Sequence, residues 1–325
     1  MKTSVRYSVI IPVFNEEAVV QETYYRLTQV MKSVNESYEL LFVNDGSKDR
    51  TAEIVESLLL TDQCVKLLDF SRNFGHQIAI TAGMDHACGD AIIIIDADLQ
   101  DPPELIPQMI EKWQKGYEVV YAKRAKRKGE TFFKKWTASL FYRTLAALTE
   151  GSIPLDTGDF RLMDRAVVQA LSSIREKNRF VRGLVSWVGY RQTAIEYVRE
   201  ERFAGKTKYP LKKMLRFSID GITSFSYKPL KLATYLGFII SFISFTYLII
   251  SLLQKLFFAG TVAGWASLIA CVLLLNGMTL MLLGVLGEYV GRIYDETKNR
   301  PLYILRDKQK AEHPTSDEVN WSAHQ

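Results

Sequence analysis

Cysteine is scarce in this 325-residue chain: Cys64, Cys88 and Cys271 are the three, and none stands in a C-x-x-C pair. That excludes a disulfide framework or a zinc site on paired thiolates and fits a reducing compartment. The amino terminus, MKTSVRYSVIIPVFNEE, lacks the apolar h-region of roughly 7–15 residues that marks a secretory signal, so the N-terminal part is expected in the cytoplasm. No G-x-G-x-x-G follows the first strand-like run, where PVFNEE stands instead, which excludes a dinucleotide-dependent oxidoreductase. The formal net charge is only +5, and with 48% hydrophobic residues the length suffices for one α/β domain of ~200–250 residues plus a further element.

What is present alternates strand and helix patterns. Strands are predicted at 7–13 (YSVIIPV), 38–43 (YELLFV) and 65–70, with helices at 16–31, 51–60 and 78–87. Residues 91–95 (AIIII) are apolar without alternation, as in a strand buried on both faces near the centre of a parallel sheet. The order predicts a doubly wound α/β domain, whose ligands bind outside the carboxyl ends of the strands. The polar clusters after the strands (Asn15-Glu16, Asp45, Asp96/Asp98) are therefore expected together.

The second half changes character. Residues 232–253 and 265–286 each run without a charge and are long enough to span a bilayer. Lys206, Lys208, Lys212, Lys213, Arg216, Lys228 and Lys231 flank one side, and Arg292, Lys298, Arg300 and Arg306 the other, whereas the connector carries only Lys255. The positive-inside rule predicts a multi-pass cell-membrane protein with catalytic domain and both termini cytoplasmic. Residues 210–229 read as an amphipathic helix on the membrane surface. The expected organisation is a cytoplasmic α/β domain over 1–209, an interfacial helix over 210–229, a two-helix transmembrane hairpin over 230–290 and a cytoplasmic tail over 291–325. The basic run 123–135 (KRAKRKGETFFKK) points to anionic lipid headgroups rather than nucleic acid.

The chemistry concentrates in Asp96-Ala97-Asp98. Side chains two apart on an extended segment share a side, so these carboxylates form a hard-oxygen pair for Mg²⁺ or Mn²⁺, to which Gln100 adds an amide. Asp45, in NDGSKD, suits hydrogen bonds from a nucleobase or ribose, while Ser47 and Asp49 suit helix capping. Arg72, in SRNFGHQ, suits a phosphate, and His76 reads as a packed or capping histidine. Asp159, in TGDFR, suits an acceptor-side base or positioning group, and Arg202 and Lys206 suit a diphosphate or lipid phosphate.

VIIPVFNEE, FVNDGSKDRT, DFSRNFGHQIAI, IIIDADLQDPPE, TGDFRLMDR, RFVRGLVSWVGY, RFAGKTKYP and the two apolar runs together resemble the family 2 glycosyltransferases, in particular the polyprenyl-phosphate group. The resemblance covers nearly the whole chain. It implies a GT-A fold, a nucleotide-sugar site at Pro12, Asn15, Glu16, Asp45, Arg72, Asp96 and Arg124, and a metal site at Asp96, Asp98 and Gln100. It also implies acceptor and phosphate chemistry at Asp98, Asp159, Arg202 and Lys206. The implied donor is a UDP- or GDP-sugar, with glucose or N-acetylglucosamine as the moving group, and the implied acceptor is undecaprenyl phosphate. Inversion of the anomeric centre is expected, and paired spans in related proteins often assemble as homo-oligomers. A processive polysaccharide synthase is disfavoured because QxxRW is missing. The rival is a membrane scaffold with a vestigial transferase domain, and the retained Asp96 and Asp98 speak against it.

Overall fold

The computed structural model describes residues 5–124, 157–197 and 264–306, with scattered positions between 230 and 253. Arg202, Lys206, the interfacial helix expected at 210–229 and the side chain of Arg124 lie outside the described residues.

Strand β1 (Tyr7–Val13), helix α1 (Val20–Val34), β2 (Tyr38–Asn44), α2 (Thr51–Thr61), β3 (Val65–Asp69), α3 (His76–His86) and β4 (Ala91–Ile94) follow the predicted alternation closely. Helix α1 starts later than expected: Glu16 N and Glu17 N are held by Thr51 Oγ1 and Asp49 Oδ2 at and just before the start of α2, and residues 17–19 form a turn before the helix begins. A 3-10 turn (Pro103–Leu105) leads into α4 (Ile106–Gln114), followed by β5 (Val119–Arg124), β6 (Thr157–Asp164), α5 (Arg165–Ser173), α6 (Val181–Trp187) and β7 (Gln192–Tyr197).

The strands form one seven-stranded sheet in the order β3-β2-β1-β4-β6-β5-β7. The first four run parallel, as predicted. The sheet as a whole is mixed, because β6 enters antiparallel to both β4 and β5. Strand β4 is central, and the four isoleucines at 92–95 are almost wholly buried. Alternation along β1 divides two cores. Tyr7, Val9, Ile11 and Val13 join Leu27 and Met31 of α1, Val55 of α2 and Ile106, Met109 and Ile110 of α4. Ile10 faces α3, where a Cβ on Gly83 would meet its Cγ2 at 2.3 Å. Each fully buried aliphatic side chain here contributes about 1.5–3 kcal/mol of transfer free energy.

This topology sets β1, β2, β3 and β4 with their carboxyl ends on one edge. At the opposite edge, buried Glu39 accepts from Ser8 Oγ at 2.5 Å and Cys88 N at 2.7 Å and pairs with Lys66 at 2.5 Å. The ends of the sheet are thereby divided in function: one is closed by polar contacts, the other carries the loops described below.

The chain splits into two compact units. Residues 1–138, 152–208 and 301–325 form the first, and residues 139–151 and 209–300 the second. In the second, helix α7 (Trp265–Thr297) is 33 residues long, and its stretch Leu274–Thr297 is apolar and long enough to cross a membrane. Leu274, Leu280 and Leu283 are all more than half exposed. The described positions between 230 and 253 are helical, and a Cβ on Gly237 would lie 4.0 Å from Leu282, so the two apolar stretches approach one another.

Candidate active site

Four loops meet at the carboxyl edge. The first, after β1, carries Asn15 in the left-handed region (φ 54), a conformation asparagine tolerates. Its N–H donates to Ser47 Oγ at 2.9 Å, and its side-chain oxygen accepts Lys48 N at 2.8 Å. Glu16 N donates to Thr51 Oγ1 at 2.9 Å. The expected cap at Ser47 is thus replaced by a brace between loops, while Asp49 accepts Thr51 N at 3.1 Å at the first turn of α2. Pro12 is buried in β1 opposite Val43.

Asp45, expected to face a nucleotide, is 3% exposed and turned toward the loop after β3. Its carboxylate accepts Phe74 N at 2.6 Å, Gly75 N at 3.0 Å and Asn73 Nδ2 at 2.9 Å. Burial nevertheless pushes its pKa above the ordinary value, the two backbone N–H groups opposing. Gly46 must be glycine: its φ is +68, and a Cβ would meet Arg72 C at 2.5 Å and Asn73 N at 2.6 Å. Asp45 and Gly46 together shape the 71–75 loop. Arg72 is exposed, with its guanidinium 4.1 Å from the centre of the Phe74 ring.

The acidic loop follows β4. Thr23 Oγ1 of α1 donates to Ala97 O at 2.8 Å and ties this loop to the helix. Buried Leu99 is left-handed at φ 55, a strained conformation for a bulky residue and one that clusters at functional sites. Asp98 Oδ1 accepts Gln100 N at 3.1 Å. Asp96 Oδ1 is buried and accepts no hydrogen bond; His76 Nε2 lies 3.4 Å away. Burial pushes Asp96 up to about 6, and the neighbouring acids Asp159, Asp101 and Asp98 add to the rise against His76.

Strand β6 brings Asp159 to the same place. Ile94 pairs with Arg161, so the antiparallel register carries Asp159 across from Asp96, just beyond the last pair. Asp159 is 5% exposed. Its carboxylate accepts Arg182 Nε at 2.9 Å and Gln77 Nε2 at 3.4 Å, and lies 3.2 Å from His76 Nε2. Arg182 also donates to Thr157 O at 3.0 Å. Burial alone would raise the pKa of Asp159, but Arg182 and His76 outweigh it and hold the carboxyl well below the ordinary value. Burial disfavours the charged form of His76, yet Asp96 and Asp159 push it up to about 9. Buried Arg161 is lowered to about 10 by desolvation and donates to Gly158 O at 2.9 Å.

The structure thus joins Asp96 and Asp159 through His76 and sets Asp98 and Gln100 on the adjoining turn. Sequence reasoning missed Gln77, Arg161 and Arg182 and left His76 as a packing residue. The signal was present in RNFGHQ and RFVRG, whose cations and amide are needed once a carboxylate is buried on β6. Among the described residues no three His, Cys, Asp or Glu side chains gather as a ready metal cage. The residues do fit a divalent ion bound through a carboxylate pair and ligand phosphates: Asp96 keeps a buried oxygen without a hydrogen bond, and the acidic surroundings favour a cation.

Residues 8–172 match the family model Glycosyl transferase family 2, and residues 228–293 match GtrB C-terminal hairpin. The chain is 64% identical to the uncharacterized glycosyltransferase YkcC of Bacillus subtilis, over 94% of this chain and 95% of that protein. It is 43% identical to the prophage bactoprenol glucosyl transferase homolog of Escherichia coli K12, over 94% of this chain and all of that one. It is 44% identical to the bactoprenol glucosyl transferase of Shigella phage SfV, again over 94% of this chain and 100% of the relative.

Proposed function

Since the chain belongs to glycosyl transferase family 2, with the α/β GT-A fold of that family, we propose that it transfers glucose from a nucleotide diphosphate, UDP-glucose first, to undecaprenyl phosphate at a membrane surface. The full-length similarity to bactoprenol glucosyl transferases favours glucose over N-acetylglucosamine and a polyprenyl phosphate acceptor. The observation that carries the site is the buried, hydrogen-bond-free oxygen of Asp96 beside Asp98, at the edge where α/β sheets bind ligands.

In this reading the loops at Asn15–Glu16 and 71–75, braced by Ser47 and Asp45, receive the nucleotide. Asp96, Asp98 and Gln100 would hold Mg²⁺ or Mn²⁺, which supplies neutralisation of the departing diphosphate. Arg72, Arg124, Arg202 and Lys206 are the candidate phosphate partners. A lipid phosphate is already anionic and needs little proton removal to attack the anomeric carbon. The depressed pKa of Asp159 agrees with that economy, because a carboxylate so stabilised is a poor base at neutral pH. Asp159 therefore acts by orienting His76 and Arg182 around the acceptor side. Attack in line with the leaving group gives an inverted product.

Two antiparallel apolar helices over 230–290 would anchor the catalytic unit, with both termini cytoplasmic and 210–229 on the membrane surface. The anchor confines enzyme and acceptor to one interface, so the search for the lipid runs over a surface. The test is a panel of radiolabelled nucleotide sugars with liposomes containing undecaprenyl phosphate. Label extractable into organic solvent from UDP-glucose, lost in Asp98→Ala, is expected. Release of free glucose alone, or lipid labelling from a different donor only, would refute the assignment.

A further inference from the structure

Residues 301–306, which follow the end of α7 after three intervening residues, belong to the first unit and close its sheet edge. Strand β3 is the outermost of the sheet, and Leu305 forms an antiparallel bridge with Phe70 just beyond it. Ser71 N donates to Ile304 O at 2.9 Å, and Arg306 N donates to Asp69 O at 2.9 Å. The Arg306 guanidinium lies 3.5 Å from the Asp69 carboxylate. The Tyr303 ring stacks on fully buried Phe70, with centroids 5.4 Å apart and planes at 15°. Its hydroxyl donates to Asp85 Oδ2 on α3 at 3.0 Å, and the same oxygen pairs with Arg175 at 2.8 Å. Burial pushes the Tyr303 hydroxyl far above its ordinary pKa, so it stays a donor.

Ser71 and Asp85 bracket one stretch of chain, and that stretch contains the 71–75 loop and His76. Phe70 continues edge-on to Phe74 at 5.6 Å, and Phe74 N is the 2.6 Å donor to Asp45. A continuous path of stacked rings and hydrogen bonds therefore joins Tyr303 to the buried carboxylate that shapes the loop. Ordinary edge-strand covering would explain the bridge at Phe70. It would not explain the second anchor on Asp85, at the far end of α3.

We propose that Pro301–Arg306 is a positioning strap for the nucleotide-sugar pocket, acting through the 71–75 loop rather than touching substrate. The proposal rests on the donor binding at that loop, as argued above. In sequence three residues separate the strap from the end of the long apolar helix.

The test uses the full chain in liposomes with UDP-glucose and undecaprenyl phosphate, comparing native protein with chains ending at Arg306 or Arg300 and with Tyr303→Ala and Tyr303→Phe. Ending at Arg306 should leave all constants unchanged. Ending at Arg300, or Tyr303→Ala, should raise the donor KM by about 5- to 10-fold, the scale of a lost aromatic pair, while kcat and the acceptor KM stay within about twofold. Tyr303→Phe keeps the stack and should recover most of the donor KM. Hydrogen exchange should quicken at Phe74 and Gly75 but not at Ile92–Ile94, which separates loop release from general unfolding. Equal losses in kcat and donor KM, or exchange rising throughout the sheet, would overturn the strap role. A native chain that neither binds UDP nor labels lipid would overturn the donor-site reading, and the strap with it. Donor binding intact in every variant would overturn the strap alone.

Discussion

Arg182→Met removes the cation that neutralises Asp159 while keeping an apolar stem of similar length. The affected carboxylate is 5% exposed and loses its 2.9 Å donor; Thr157 O also loses a 3.0 Å partner. Breaking a buried pair from one side costs about 3–5 kcal/mol. His76 remains 3.2 Å from Asp159, and the Arg182 side chain is 30% exposed, so the cost is discounted below that range, to about 2–3 kcal/mol. For a unit of this size that lowers the thermal midpoint by roughly 5–10 °C. Asp159→Asn should cost less, because the freed guanidinium keeps Thr157 O and reaches water. The double variant should then recover about 1.5–2 kcal/mol relative to the sum of the singles, the coupling expected for directly paired groups. The assay is a double-mutant cycle on thermal unfolding of the detergent-solubilised chain. Strictly additive losses, within about 0.5 kcal/mol, would refute the idea that Arg182 acts mainly through Asp159.

Acid should expose the same pair. The folded pKa of Asp159 is depressed, so its contribution to stability is complete above the ordinary carboxylate range and is lost as pH falls through the folded value. In Arg182→Met that value rises, and the acid-unfolding midpoint should move up by about one pH unit; an unchanged midpoint would contradict the electrostatic account. Gly46→Ala should cost about 1–2 kcal/mol from its left-handed backbone alone and more from the clash with Arg72 and Asn73, with UDP binding weakened beyond the stability loss. Leu280, 70% exposed on α7, should belong to a lipid-facing surface, so Leu280→Arg should lower membrane insertion, measured by carbonate extraction, whereas Thr61→Arg on exposed α2 should not.

The first four strands were legible because burial on both faces writes itself as unbroken apolar sequence, as in residues 91–95. The carboxyl-edge clusters at Asn15, Asp45 and Asp96 followed from strand order alone. Strand β6 was not legible as a strand. TGDFRLMD reads as a polar stretch, yet seven of its eight residues are buried. Its charges are answered from a distance, Asp159 by Arg182 and His76, and Arg161 by backbone oxygens. Composition cannot distinguish a neutralised charge from a solvated one. Asp45 carries a task its sequence context did not announce: it organises a loop 28–30 residues downstream. Residues 301–306 (PLYILR) are apolar apart from Arg306, but so short a run does not tell which sheet edge it meets.

The most direct test of the account is single-turnover transfer of labelled glucose from UDP-glucose to undecaprenyl phosphate, with the anomeric configuration of the lipid product read by NMR. A β-linked glucosyl lipid is expected from the native chain in Mg²⁺ or Mn²⁺, and none from Asp98→Ala, which should still fold. An α-linked product, or undiminished transfer by Asp98→Ala, would contradict it.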